Sequence, residues 1–216
     1  MNLETARSQM LAQQVRAWDV LDQRVLDALN LVPREQFVPE RYRDLAFADI
    51  EIPLGHGQQM LTPKVEGRLL QALRLAPIDE ALVVGTGSGF LTACLARLAG
   101  RVVSVDIFAD FIEAASERIA DFGGHNVELK TTDAVSLSDA AGFDAIALSA
   151  SLPDFDERFV RMLRPDGRLF VVVGRPPIME ARLITMRPGG QWTEESLFET
   201  LLTPMINAEQ SEPFVL

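Results

Sequence analysis

From residue 81 onward, short apolar runs alternate with amphipathic stretches, and that alternation leaves few folds open. Residues 81–84, 101–105, 127–130, 144–148 and 168–173 have the length and apolar character of strands. Between most of them lie 91–98, 109–122 and 156–163, where apolar side chains recur at helical spacing. Near-continuous apolar strands are buried on both faces, and crossover helices join parallel neighbours. The pattern therefore predicts an α/β fold with a Rossmann-like, mostly parallel, doubly wound sheet. Residues 181–186 and 195–202 are expected to add an antiparallel pair at one edge.

The first part of the chain reads differently. Residues 3–17 and 21–30 carry helical periodicity, with Leu21, Val25 and Leu29 on one face, and Pro33 breaks it. Residues 34–63 hold Pro39, Pro53 and Pro63 together with Gly55 and Gly57, which predicts a loop-rich stretch placed over something else. A helix is expected from Pro63 to about residue 75. The expected organisation is an N-terminal helical and loop extension, 1–63, capping an α/β core, 64–216. A chain of 216 residues accommodates both in one compact domain.

Charge and cysteine usage exclude several function classes. The net charge is −11 and no long basic run occurs, so nucleic acid is not an expected partner. Cys94 is the lone cysteine, and the two histidines, His56 and His125, are far apart, so neither a disulfide nor a metal site is expected. No stretch approaches ~20 uninterrupted apolar residues, and Met1-Asn2-Leu3-Glu4-Thr5 does not begin like a secretory leader. A cytoplasmic location without membrane attachment is the expectation.

The chemistry concentrates at Leu82-Val83-Val84-Gly85-Thr86-Gly87-Ser88-Gly89-Phe90-Leu91, a strand entering a glycine turn and then a helix. Glycines there allow close backbone approach to a ligand, and the helix N-terminus adds amide dipoles. A dinucleotide fingerprint would require glycine at position 90, where Phe90 stands. The spacing Gly85, Gly87, Gly89 instead fits S-adenosyl-L-methionine, with S-adenosyl-L-homocysteine as the product. Asp106 ends the next strand and can accept hydrogen bonds from both ribose hydroxyls; capping a helix is its other reading. Asp133 follows the third strand, placed to bond an adenine amino group or to serve as a turn residue. Open α/β sheets bind ligands at the carboxyl edge, where all three features fall.

Three further segments carry a family resemblance: Val32-Pro33-Arg34-Glu35-Gln36-Phe37-Val38-Pro39, Ile52-Pro53-Leu54-Gly55-His56-Gly57-Gln58 and Leu163-Arg164-Pro165-Asp166-Gly167-Arg168-Leu169. With the glycine turn, they make residues 5–174 resemble the protein-L-isoaspartate O-methyltransferases, whose fold is that of class I methyltransferases. The resemblance implies methyl transfer to the free carboxylate of isoaspartyl residues in damaged proteins, after which the ester collapses to a succinimide and repair follows. It also places Gln59, Leu61 and Thr62 on the substrate side. In the family a Thr-Ile-Ser run occupies 59–61, its Ser hydroxyl holding the substrate carboxylate; this chain has Gln59-Met60-Leu61. Val83 stands where the family has Glu, a carboxylate that helps hold the methionyl end of the cofactor.

Two other functions remain open on these residues: a methyltransferase with another acceptor, and a non-catalytic module that binds the cofactor or a protein. The remaining singled-out side chains read as structural. His56 is expected as a hydrogen-bonded loop histidine, His125 as a solvated turn residue, Cys94 as buried and inert, and Trp18 and Trp192 as packing residues.

Overall fold

The computed structural model describes residues 3–137 and 142–208. The first two residues of the expected extension and the last eight of the expected core lie outside them, as do the opening residues of the segment read as leaderless. The chain opens with α1 (Leu3–Met10), continued by a π-helical turn and a 3-10 turn as far as Trp18, then α2 (Gln23–Leu31) and the short α3 (Arg34–Phe37). Asp22 caps α2 by accepting the Arg24 N–H at 2.9 Å. The stretch expected to be loop contains a two-stranded ribbon, β1 (Ile52–Gly55) and β2 (Gln58–Met60). Its turn is made by His56 and Gly57, both with positive φ. Next, α4 (Pro63–Leu73) begins with proline at its first position, where no N–H is needed.

The core elements follow in alternation: β3 (Glu80–Val84), α5 (Phe90–Leu98), β4 (Arg101–Asp106), α6 (Ala109–Phe122), β5 (Val127–Thr131), β6 (Phe143–Leu152), α7 (Arg158–Arg161), β7 (Leu163–Arg175), β8 (Ile178–Met186) and β9 (Trp192–Glu199). One sheet has the order β5-β4-β3-β6-β7-β8-β9, parallel from β5 through β7 and antiparallel for β8 and β9. The expected sheet and its antiparallel edge are both present. Only the helix anticipated at 156–163 is much shorter, because Leu163 already belongs to β7. The tail strand also ends earlier than expected, at Glu199.

Alternation along the strands sorts the core in two. Ala81, Val83, Val102, Ala145, Ala147 and Phe170 face α2, α4, α5 and α6, while Leu82, Val84, Val103, Ile146, Leu148 and Leu169 face Phe159 and Val160 of α7. The N-terminal extension shares the first cluster through Val15, Val25, Leu29 and Phe37. Gly67 of α4 makes this approach possible: a Cβ there would stand 2.9 Å from Val15. The order of the sheet reverses at β3, with β4 on one side and β6 on the other, and a ligand cleft is expected at the carboxyl ends beside such a switch.

Candidate active site

The turn after β3 is shaped by three glycines with positive φ, at +88° for Gly85, +51° for Gly87 and +88° for Gly89. An added Cβ shows why side chains are excluded: at Gly87 it would come within 3.1 Å of Leu54, and at Gly89 within 2.9 Å of Ala115 on α6. Thr86 and Ser88 point inward. The Thr86 hydroxyl meets that of Ser104 at 2.7 Å, Ser104 meets Thr92 at 2.9 Å, and Ser88 accepts the Phe90 N–H at 3.3 Å. Buried hydroxyls thus tie the turn to β4 and α5.

At the carboxyl edge a cleft of about 730 Å³, counting its open mouth, lies against this turn. Its sheet-side wall consists of Val84, Gly85, Gly87, Val105, Asp106, Ile107, Phe108, Thr132, Asp133, Ala134, Ser149 and Ala150. Asp106 accepts the Gly87 N–H at 2.9 Å and the Phe108 N–H at 3.0 Å, one on each carboxylate oxygen, leaving lone pairs for two more donors. Burial pushes its carboxyl above the usual range, against the opposing effect of those N–H groups. Asp133 accepts the Val135 N–H at 3.0 Å and the Asn207 amide at 2.7 Å. Both the turn role and the place on the wall therefore apply to it. The Ser149 hydroxyl donates to the Gly85 carbonyl at 2.8 Å and fixes the turn from the β6 side.

The opposite wall is built by the ribbon and by the segment after β9. Glu51, Leu54, Gln58, Gln59 and Leu61 come from the first, and Leu202, Thr203, Met205 and Ile206 from the second. Ser151 at the end of β6 holds that segment: its N–H donates to Thr203 and its carbonyl accepts from Met205, at 3.0 and 2.8 Å. The ribbon is held from behind by Arg34, a fully buried guanidinium that donates to the Leu61 carbonyl at 2.6 Å, to the Ala46 carbonyl at 2.8 Å and to Glu66. It also lies over the ring of Phe90, 4.7 Å from its centroid. Burial pushes the Glu66 carboxyl up to about 7, outweighing the attraction of Arg34.

Of the residues singled out in the sequence, Gly85, Gly87, Asp106, Asp133, Gln59 and Leu61 come together on the cleft, whereas Thr86, Ser88, Gly89 and Thr62 do not line it. The Thr62 hydroxyl, just ahead of α4, is buried without a hydrogen-bond partner. Val83 is wholly buried in the helix-covered core, and it is Val84 that reaches the cleft. His56 bonds Asp110 at 2.9 Å and stacks on Phe108 with centroids 4.0 Å apart. His125 lies exposed in a turn. Cys94 is fully buried, its thiol pushed well up by desolvation. Trp18 packs edge-on against Phe198 at 5.7 Å, but Trp192 stands 37% exposed at the start of β9 rather than packed inside. Among the described residues no group of three metal-ligating side chains occurs and no helix is long and apolar enough to cross a membrane.

The glycine cradle, the acidic ends of β4 and β5 and the open cleft fit S-adenosylmethionine by shape and donor set. Such a site on such a sheet defines a class I methyltransferase. Comparison with known proteins gives the family. The model of the family described as protein-L-isoaspartate(D-aspartate) O-methyltransferase (PCMT) matches residues 5–210, and this chain belongs to that family. It is 33% identical over 208 residues to a protein-L-isoaspartate O-methyltransferase of Koribacter versatilis, covering 96% of this chain and 93% of the relative. A relative of the same name from Aeropyrum pernix is 36% identical, with 93% and 79% covered. Among solved structures, a Plasmodium falciparum chain described as a protein-L-isoaspartate O-methyltransferase, in complex with S-adenosyl-L-homocysteine, shares the fold at a TM-score of 0.79 and 19% identity, covering 95% of this chain and 98% of its own.

Proposed function

We propose that this methyltransferase acts in the cytoplasm on the free carboxylate of isoaspartyl residues in damaged proteins. The observation that carries the reading is the cleft itself, walled on one side by the glycine turn and strand ends and on the other by the ribbon on which the sequence resemblance puts the substrate side. Residues 1–63 act as the cap and residues 64–216 as the cofactor-binding core. In the proposed site Gly85–Gly89 pass along the methionyl end, Asp106 accepts the ribose hydroxyls and Asp133 the adenine amino group. The cofactor supplies an electrophilic methyl group.

A carboxylate is already a nucleophile, so the chain needs no general base for this reaction. Its tasks are to strip water from the acceptor oxygen and to hold that oxygen in line with the methyl group. Leu54, Leu61, Leu202 and Met205 make the wall apolar enough for the first task. Leu61 offers no donor for the second, which leaves Gln58, Gln59 and Thr203 as neutral polar neighbours on that wall. Thr62 is a weaker candidate than its sequence position implies, since its hydroxyl is buried off the cleft.

The test is steady-state methylation of an isoaspartyl peptide, compared with its aspartyl isomer, by the wild type and by Leu61→Ser. Leu61→Ser is expected to raise kcat/KM about tenfold by restoring one charge-assisted hydrogen bond. Vigorous wild-type turnover that drops in Leu61→Ser would show that other groups hold the substrate. Tight cofactor binding with no turnover in either protein would favour the second reading, methyl transfer to a different acceptor, which the apolar side chain at 61 supports.

A further inference from the structure

The ribbon register brings an unassigned acidic side chain to the acceptor wall. Ile52 pairs with Met60 and Pro53 with Gln59, and continuing that register one step past the ribbon sets Glu51 opposite Leu61. Residues directly opposite each other on antiparallel strands project from the same face. Glu51 and Leu61 accordingly both line the cleft. The place of a lost hydroxyl is thus flanked by a carboxyl group.

That carboxyl is half-buried and has no hydrogen-bond or ion-pair partner among the described residues. The charged groups flanking it on the two sides of the ribbon, Asp49 and Lys64, are paired with each other at 2.6 Å. Across the cleft the other titratable groups are Asp106 and Asp133, and no Lys, Arg or His lines the wall among the described residues. An isoaspartyl carboxylate entering here meets no cationic side chain among the described residues that line the cleft.

We propose that Glu51 is the acceptor-facing residue of this site: in its protonated form it donates a hydrogen bond to the isoaspartyl carboxylate, in the role that Leu61 cannot fill. The inference rests on the isoaspartyl reading above. Burial alone already moves the Glu51 carboxyl upward, and a second carboxylate brought beside it moves it further, because two like charges at close range do not both ionise. The isoaspartyl group, as the stronger acid, remains the anion and the nucleophile. Transfer then forms the oxygen–methyl bond and breaks the sulfur–methyl bond. The proton on Glu51 stays where it is, and the ester carbonyl becomes its acceptor.

The experiment compares wild type, Glu51→Gln and Glu51→Ala on one isoaspartyl peptide between pH 5.5 and 8.5, reading kcat and KM. The affinity of the same peptide for the S-adenosylhomocysteine complex is measured alongside by calorimetry. Glutamine donates at every pH, so Glu51→Gln is expected to keep a KM within about threefold of the wild type at low pH and to lose its pH dependence. In the wild type KM rises with pH as Glu51 ionises. Glu51→Ala is expected to raise KM about tenfold to a hundredfold at low pH. Equal S-adenosylhomocysteine affinity in all three proteins shows that the fold and the cradle are intact. An active wild type matched by Glu51→Ala overturns the role of Glu51 and leaves the isoaspartyl reading standing. Loss of activity in Glu51→Gln together with Glu51→Ala makes residue 51 a base for a protonated acceptor and overturns the donor role. If no protein binds or methylates the peptide while all bind S-adenosylhomocysteine, the isoaspartyl reading fails and the inference falls with it.

Discussion

The two walls of the cleft are built on different principles. The cofactor wall is backbone: glycines in left-handed conformations, strand ends in fixed register, and Asp106 already holding two N–H groups. The wall proposed for the acceptor is side chain: a ribbon of three paired positions and the residues flanking it, with Glu51, Gln59 and Leu61 chemically diverse and the footing a buried contact of Arg34 with Glu66. A wall of backbone keeps its geometry under substitution, and a wall of side chains is free to change what it recognises.

The contrast is broken most severely at the footing. Arg34→Leu leaves Glu66 buried without its partner and frees the Leu61 and Ala46 carbonyls, and is expected to cost about 3–5 kcal/mol of stability in denaturant unfolding. Because Arg34 bonds the Leu61 carbonyl beside the ribbon and meets the cradle side only through the Phe90 ring, the loss of isoaspartyl turnover should exceed the loss of cofactor affinity under conditions where the variant stays folded. Equal losses of both would erase the distinction between the walls.

A gentler test uses pH. Burial raises the Glu66 carboxyl to about 7 in the folded chain, while the unfolded chain releases its proton in the ordinary glutamate range. Its contribution to stability is complete below the unfolded value and declines as pH rises to about 7, by roughly 1.4 kcal/mol per unit and about 3 kcal/mol in all. Subtracting the stability profile of Glu66→Gln from that of the wild type should reveal this slope. A flat difference would mean that the pair is ionised throughout.

On the other wall, Asp106→Ala removes two acceptor atoms and releases the Gly87 and Phe108 N–H groups they hold. S-adenosylmethionine affinity is expected to fall about tenfold to a hundredfold by calorimetry. Full affinity in this variant would remove Asp106 from the ribose role and leave Gly87 and the strand ends to hold the ligand.

The same division governed what could be read from sequence. Strands, glycine turn, Asp106 and Asp133 were legible because each depends on a local pattern: an apolar run, a positive-φ turn, an acid at a strand end. The ribbon was not, since Ile52-Pro53-Leu54-Gly55 and Gln58-Gln59-Met60 are too short to show alternation and contain a proline. Its one signal is the Gly55-His56-Gly57 turn between two short extended pieces. Glu51 gains meaning only through cross-strand register, and Arg34 finds Glu66 across 32 positions, which no local rule links. The contribution of Thr203 and Ile206 was hidden for a related reason: β9 stops at Glu199, and pairing with Ser151 then carries the chain across the mouth of the cleft.

That crossing segment delivers Asn207 to Asp133, where the amide already occupies one oxygen of the carboxylate. In the proposed site that oxygen keeps a second lone pair, so a purine amino group can bond it beside the Asn207 amide. An oxo group in that position has no proton to give and faces an anion. In that site Asp133 would act as a filter as well as a partner, separating an amino-bearing purine from an oxo-bearing one before the reactive end of either molecule is engaged.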